Sequence, residues 1–379
     1  MREKIFNRDF VLCSFAQFAL SSAVHALMPT LPIYLSSLGS KEIEIGVLTG
    51  SLGVSAMVLR PFVGRALSKI PEKNFMIAGA LLFTLTSLAY LLAPPFWPFL
   101  IVRAFQGMGF AFFHTASITL VANISPVAYL GQSISYFYLA FNIAGALAPA
   151  FGILLINHFG FPLLFLTCAG LSSCSLFITN KLAKRQVAPL KDSSIEDVFF
   201  FSRKALPISF MVFLIHIVWG AIITFFPLYA LSHGIGNPGL FFTAHAIVLI
   251  LGRILGGKIL DLYDLKRVIL PCITIYIIAM SILAFSKTLP MFFFVAVIWG
   301  VGNTFFLPAL VAYTLKLADS SRGSTMATIT AAMDLGIGIG PVIMGIILQL
   351  TNYPIMFLCL ALTGVINLNY FYFFVRKKG

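Results

Sequence analysis

The chain repeats itself. Within its 379 residues, the stretch Leu59 to Lys73 (LRPFVGRALSKIPEK) returns between Leu251 and Arg267 as LGRILGGKILDLYDLKR. A constant offset of 193 pairs Arg60 with Arg253, Gly64 with Gly257 and Lys73 with Lys266. The same spacing holds elsewhere: Pro32 and Tyr34 match Pro227 and Tyr229 at 195, and Gly107 and Gly109 match Gly300 and Gly302 at 193. Gly131 and Pro149 match Gly323 and Pro341 at 192. An offset that drifts by three residues over half the length means two similar halves joined end to end.

Each half is too apolar for a soluble domain. The chain is 60% hydrophobic with 10% charged residues and a mean hydropathy of +1.00, against about 25% charge in ordinary globular domains. A soluble surface of this size needs more charge, so the chain reads as a polytopic membrane protein. The five cysteines (Cys13, Cys168, Cys174, Cys272, Cys359) lie in apolar segments without a CxxC pair and read as packing residues. Arg2, Lys4 and Arg8 precede an apolar run too long for a signal-peptide core, which reads as an uncleaved first span.

A spanning helix needs about 20 apolar residues, and twelve segments meet that length. They are 10–36, 43–65, 74–94, 97–123, 131–156, 161–180, 206–231, 239–260, 267–286, 290–316, 323–350 and 354–375. The joints are short and rich in Gly, Pro and Asn, except for one polar stretch. The spacing predicts a first six-helix bundle over 1–180, a cytoplasmic linker over 181–205 and a second six-helix bundle over 206–379. With both termini in the cytoplasm, 22 of the 25 Lys and Arg fall on that side, leaving Lys41 and Lys287 outside and Arg103 within a span. The positive-inside rule thus accounts for the net charge of +13 without a nucleic-acid partner.

Twelve helices in two similar halves, with the long loop between them, resemble the major facilitator superfamily of transporters, and the resemblance covers essentially the whole chain. Its most specific mark joins helices 2 and 3, where the family reads Gly-x-x-x-Asp-Arg/Lys-x-Gly-Arg/Lys-Arg/Lys. The first copy keeps Gly64, Lys69 and Lys73, with Ser68 for Asp and Pro71 for Gly; the second keeps Gly257, Asp261, Lys266 and Arg267, with Asp264 in place of the later glycine. The resemblance implies a cytoplasmic gate latched by this element, weaker at Ser68. Basic residues serving only as topology signals are the alternative.

Matched positions serve the shared scaffold, so unmatched polar residues inside spans carry the functional information, because charge within a bilayer is costly. Arg103 heads Arg103-x-x-Gln106-Gly107-x-Gly109, similar to the family's helix 4 signature, which implies a cavity-bordering role in proton coupling; snorkelling outward is the alternative. His114 follows eleven residues later on nearly the same face, as a cavity or a packing histidine. Gln17, Ser21 and His25 form a polar stripe at spacings of four, lining a cavity or bonding between helices. Asp334 is the carboxylate nearest the middle of a span, and its partner position is Asn142. Burial disfavours a carboxylate's charged form, which suits a proton carrier; a helix–helix hydrogen bond or a salt bridge is the alternative. His216 is a candidate partner for Asp334, and His245 a weaker one. Pro149 and Gly152, echoed by Gly340 and Pro341, partly resemble the family's proton-coupled exporter string and predict helix bending and close packing. The drug-exporter branch usually carries an acid near helix 1, where this chain has only Gln17 and His25, so cationic drugs are disfavoured.

No nucleotide loop, metal-ligand cluster or nucleophile elbow is present in the sequence, so neither an enzyme nor a cofactor is expected. The reading is a multi-pass secondary transporter of the cell (cytoplasmic) membrane, a monomer working by alternating access. Its leading form is proton-coupled export of a small molecule by antiport. The alternatives are proton symport of a small anion, or, in another class, a non-transporting scaffold or lipid-handling protein.

Overall fold

In hydrocarbon every backbone N–H and C=O must find a partner within its own segment, which makes helices the natural outcome for such apolar runs. A computed structural model describes residues 6–94, 96–126, 129–183, 205–256, 264–317 and 322–375. Its helices are α1 (Arg8–Ser37), α2 (Glu42–Ala66), α3 (Glu72–Ala89), α4 (Trp97–Ile124), α5 (Leu130–Asn180), α6 (Leu206–Ser232), α7 (Gly239–Gly256), α8 (Leu265–Phe285), α9 (Leu289–Leu317), α10 (Arg322–Leu350) and α11 (Tyr353–Tyr370). A π-helical turn, Phe371–Val375, follows α11. Among the described residues there is no strand, and nine helices are long and apolar enough to cross a membrane.

The segments expected at 131–156 and 161–180 form one 51-residue helix, α5, broken at Gly160 (φ 79°, ψ 176°). Glycine tolerates that backbone, and Pro162 two residues on cannot supply an N–H to continue the ladder. The span expected at 239–260 is seen as far as Gly256, and most of the expected linker lies outside the described residues. Cys13, Cys168 and Cys272 are buried as expected of packing residues, but Cys174 is exposed on the outer face of α5.

The duplication reappears as identical helix stops. Gly39 after α1 and Gly234 after α6 both take positive φ, 79° and 78°. Each stop closes with the same pair of bonds: Gly39 N to Ser36 O and Ser40 N to Leu35 O, against Gly234 N to Leu231 O and Ile235 N to Ala230 O. These left-handed caps satisfy carbonyls that the helix leaves open.

α1 and α6 are the most enclosed spans. α5 packs on α1 and on α7, while α10 packs on α2 and on α6. Phe6 rests on Tyr136 at the start of α5, and Phe210 at the start of α6 packs on Tyr370. One end of the bundle, here the proximal end, therefore carries Arg8 and Tyr370, and the distal end carries Ser37 and Gly160. Small residues set the α2–α10 distance. A Cβ on Gly53 would lie 2.8 Å from the backbone N of Gly338, and one on Gly46 would run into the carbonyl of Pro341. Glycine at these positions lets two backbones touch.

Gly338→Val should therefore force α2 from α10, since its Cβ would lie 2.8 Å from the backbone N of Val54. Overpacking of this kind costs about 1–3 kcal/mol. Thermal unfolding of detergent-purified protein should show a clear drop, whereas Gly170→Ala, with open space around it, should unfold like the wild type.

Candidate functional site

Arg60 sits two turns from the proximal end of α2, and Asp334 lies in the first half of α10. Their side chains meet: Arg60 Nη2 donates to Asp334 Oδ1 at 3.1 Å, and Nε lies 2.7 Å from Oδ2. The Nε contact is an ion pair rather than an aligned hydrogen bond. The side chains are 20% and 11% exposed, so the pair is largely out of water. The salt-bridge alternative for Asp334 is thus the arrangement observed, with a partner the sequence had assigned to the shared scaffold. His216 is not that partner. It bonds Val212 O through Nδ1 at 2.7 Å and packs against Gly336, which is two residues and about 200° around the helix from Asp334.

An aromatic chain leads away from the pair. The Arg60 guanidinium stands 5.8 Å above the Phe110 ring, and Phe110 stacks on His114 at 5.2 Å. His114 packs on Phe141 at 5.5 Å, and Phe141 on His25 at 4.6 Å. His114 is buried, and its Nδ1 has no hydrogen-bond partner.

His25 opens onto a cavity of about 100 Å³ between α1, α5, α6 and α7. Its polar lining is His25, Asn142, His245 and Arg253, and apolar walls include Phe141 and Trp219. Pro149 also lines it. The space holds several waters or a small organic group. His245 is fixed by Asn303 at 3.2 Å and by the ring of Trp299 at 4.4 Å.

The polar stripe of α1 divides. Gln17 donates to Ser21 Oγ at 2.7 Å within α1 and accepts from Ser117 of α4 at 2.9 Å, so Gln17 bonds the two helices and Ser21 supports it. Only His25 of the three reaches the cavity. Arg103 does not: it is 3% exposed, and Nη1 donates to Gln106 Oε1 at 2.6 Å. Tyr90 donates to the same oxygen at 2.7 Å. Neither cavity lining nor outward snorkelling describes it, because a nearer acceptor on its own helix holds the guanidinium inside.

The family model described as Major Facilitator Superfamily matches residues 12–242 and 208–379. The chain belongs to the major facilitator superfamily. It is 23% identical over 352 residues to the staphylopine export protein of Staphylococcus aureus, covering 89% of this chain and 88% of that one. It is 25% identical over 363 residues to multidrug resistance protein 2 of Bacillus subtilis, covering 90% and 89%. Among solved structures it resembles the nucleoside transporter NupG, with a TM-score of 0.79 at 15% identity over 97% of this chain and 98% of that one. The protein is a multi-pass transporter of the cell membrane that carries small molecules, not an enzyme.

In this transporter the residues of the first gate motif lie at the proximal end. Lys73 Nζ donates to Asn180 O and Leu182 O, both at 2.7 Å, binding the end of α5 as a cation at a helix C-terminus. Ser68 bonds only its own turn, through Arg65 O at 2.7 Å; Lys69 is exposed and Gly64 has open space. In the second copy Lys266 stands 5.7 Å from the Tyr313 ring, Arg267 is exposed, and Gly257 and Asp261 lie outside the described residues. The helix-bending pairs sit at close approaches, with a Cβ on Gly152 3.0 Å from Ala26 O, Gly340 against Ile217 and Pro341 against Gly46.

Gln106→Leu should strand both the Arg103 guanidinium and the Tyr90 hydroxyl. Hydrogen bonds to charged groups contribute about 1.5–3 kcal/mol, so thermal unfolding should fall measurably, while Gln132→Leu on the exposed start of α5 should change little.

Proposed function

We propose that this transporter exports a small molecule by proton antiport, with Asp334 as the proton carrier and Arg60 as the charge it releases. The observation that carries the reading is the Arg60–Asp334 pair, which joins helices from opposite halves of the duplicated sequence. A proton on Asp334 removes one member. Removing one partner of a buried pair costs about 3–5 kcal/mol, an upper bound here because Arg60 is 20% exposed. Differences of a few kcal/mol suffice to move a two-state carrier from one form to the other.

In this reading twelve spans form two bundles, 1–180 and 206–379, joined by the 181–205 linker, with α5 supplying two spans across Gly160. The proximal end is cytoplasmic, as the distribution of Lys and Arg supports, and the carrier works as a monomer. The distal end is then the outer side. There α2 and α10 are in backbone contact, Gly239 abuts Ala150, and Asn157 donates to Gly236 O at 2.8 Å. Beyond the ion pair, a Cβ on Gly64, one turn on from Arg60 along the same face, would meet no described atom within 4 Å. These contacts support a form closed outward and accessible from the cytoplasm. The printed functions of the export and multidrug-resistance relatives support the direction of flux.

Proteoliposomes with a trapped pH dye test the reading. Substrate entry should make the lumen alkaline as protons leave in exchange, and Asp334→Asn should lose proton-driven accumulation while keeping substrate exchange. Undiminished driven transport in that variant would sink the assignment, and acidification on entry would establish symport instead.

A further inference from the structure

The duplication specifies a second ion pair that this chain does not make. Arg60 maps onto Arg253 at offset 193, and Asp334 maps onto Asn142 at offset 192. The image of the α2–α10 pair is therefore Arg253 on α7 with Asn142 on α5. The second seam keeps the arginine and replaces the carboxylate with its neutral near-isostere. Both residues line the central cavity.

Among the described residues no carboxylate pairs with Arg253, and the cavity lining contains neither Asp nor Glu. Arg253 is solvent-exposed as well as cavity-lining, and a guanidinium recognises a carboxylate through two parallel N–H donors. Membrane topology explains a basic residue at the end of α7 but not its place on the cavity wall opposite a neutralised position. We propose that the cavity binds an organic carboxylate, whose charged group takes, on Arg253, the role that Asp334 plays on Arg60. Asn142 donates an amide N–H to the same group, and Trp219 and Phe141 pack on its apolar body. The chemical class is a small aromatic or apolar monocarboxylate, since the walls are largely apolar and the cavity is about 100 Å³. The same charge repels cations, in keeping with a cavity wall on α1 made of His25, Met28 and Pro29.

The inference deepens the carrier reading but needs only binding to be tested. Equilibrium binding of radiolabelled benzoate and phenylacetate to the purified full-length protein, competed by benzamide and phenylacetamide, gives the comparison. Carboxylates should bind in the millimolar range or tighter, with each amide at least tenfold weaker. Arg253→Gln should lose at least tenfold, and Arg253→Lys should keep part of the affinity. Asn142→Asp supplies an internal partner for Arg253 and should also lose carboxylate binding while unfolding at the same temperature or higher. Amides that compete equally, absence of saturable carboxylate binding, or wild-type affinity in Arg253→Gln each overturns the proposal. Carboxylate binding with a silent pH-dye assay would sink the carrier reading and keep this site. Proton-coupled transport indifferent to Arg253→Gln would do the reverse.

Discussion

Arg60 and Asp334 stand 274 residues apart in the chain, yet each depends on the other for a counter-charge inside the bilayer. A lone charge at that depth is costly enough that the two helices are held wherever the pair can form. The hydrogen bond within the pair needs about 3 Å between donor and acceptor, so the helices must come close. The glycines along α2 and α10 permit that contact by bringing backbone against backbone between Gly46 and Gly53 on one side and Gly338 and Pro341 on the other. Charge supplies the reason for the approach and small residues supply the room.

The same architecture, used twice, carries different chemistry on its two sides. The α2–α10 seam is satisfied internally by Asp334, which the proposed cycle makes the proton site. The α5–α7 seam presents Arg253 and Asn142 to a cavity and has charge left over for a ligand. Between them runs the chain Phe110, His114, Phe141 and His25, which places packed aromatic rings from the ion pair to the cavity wall. Phe110 stacks on His114, His114 packs tilted on Phe141, and Phe141 meets His25 edge-on. In the proposed antiport, that continuity gives proton and substrate a shared set of side chains.

Much of the fold was legible because its signals are local. Apolar runs of spanning length, the Gly160 break and the paired stops at Gly39 and Gly234 are all written within a few residues. Asp334 was legible as well, since a carboxylate deep in a span has no cheap explanation. Its partner was not, because a contact across 274 residues leaves no local pattern. Arg60 was also set aside as a repeated scaffold residue and a topology charge. The available signal was an arginine within the apolar run of α2, sixteen residues from Glu44, the nearest acid of its own helix. Arg103 misled in the opposite sense: its motif matched a family signature, but Gln106 three residues on held it away from the cavity. Gln17 and Ser21 shared a face with His25, and only the position of Ser117 on α4 decided that Gln17 bonds the two helices.

In the proposed cycle the charged Arg60–Asp334 pair holds the outer side shut. Spin labels at Lys41 and Leu350, both exposed at the distal ends of α2 and α10, report that seam directly in a cysteine-free background. Electron–electron distance measurements in lipid nanodiscs should give one short distance when Asp334 is charged. Lowering the pH, or Asp334→Asn at any pH, should add a second population with the labels farther apart. A single short distance that ignores both pH and the substitution would contradict the account.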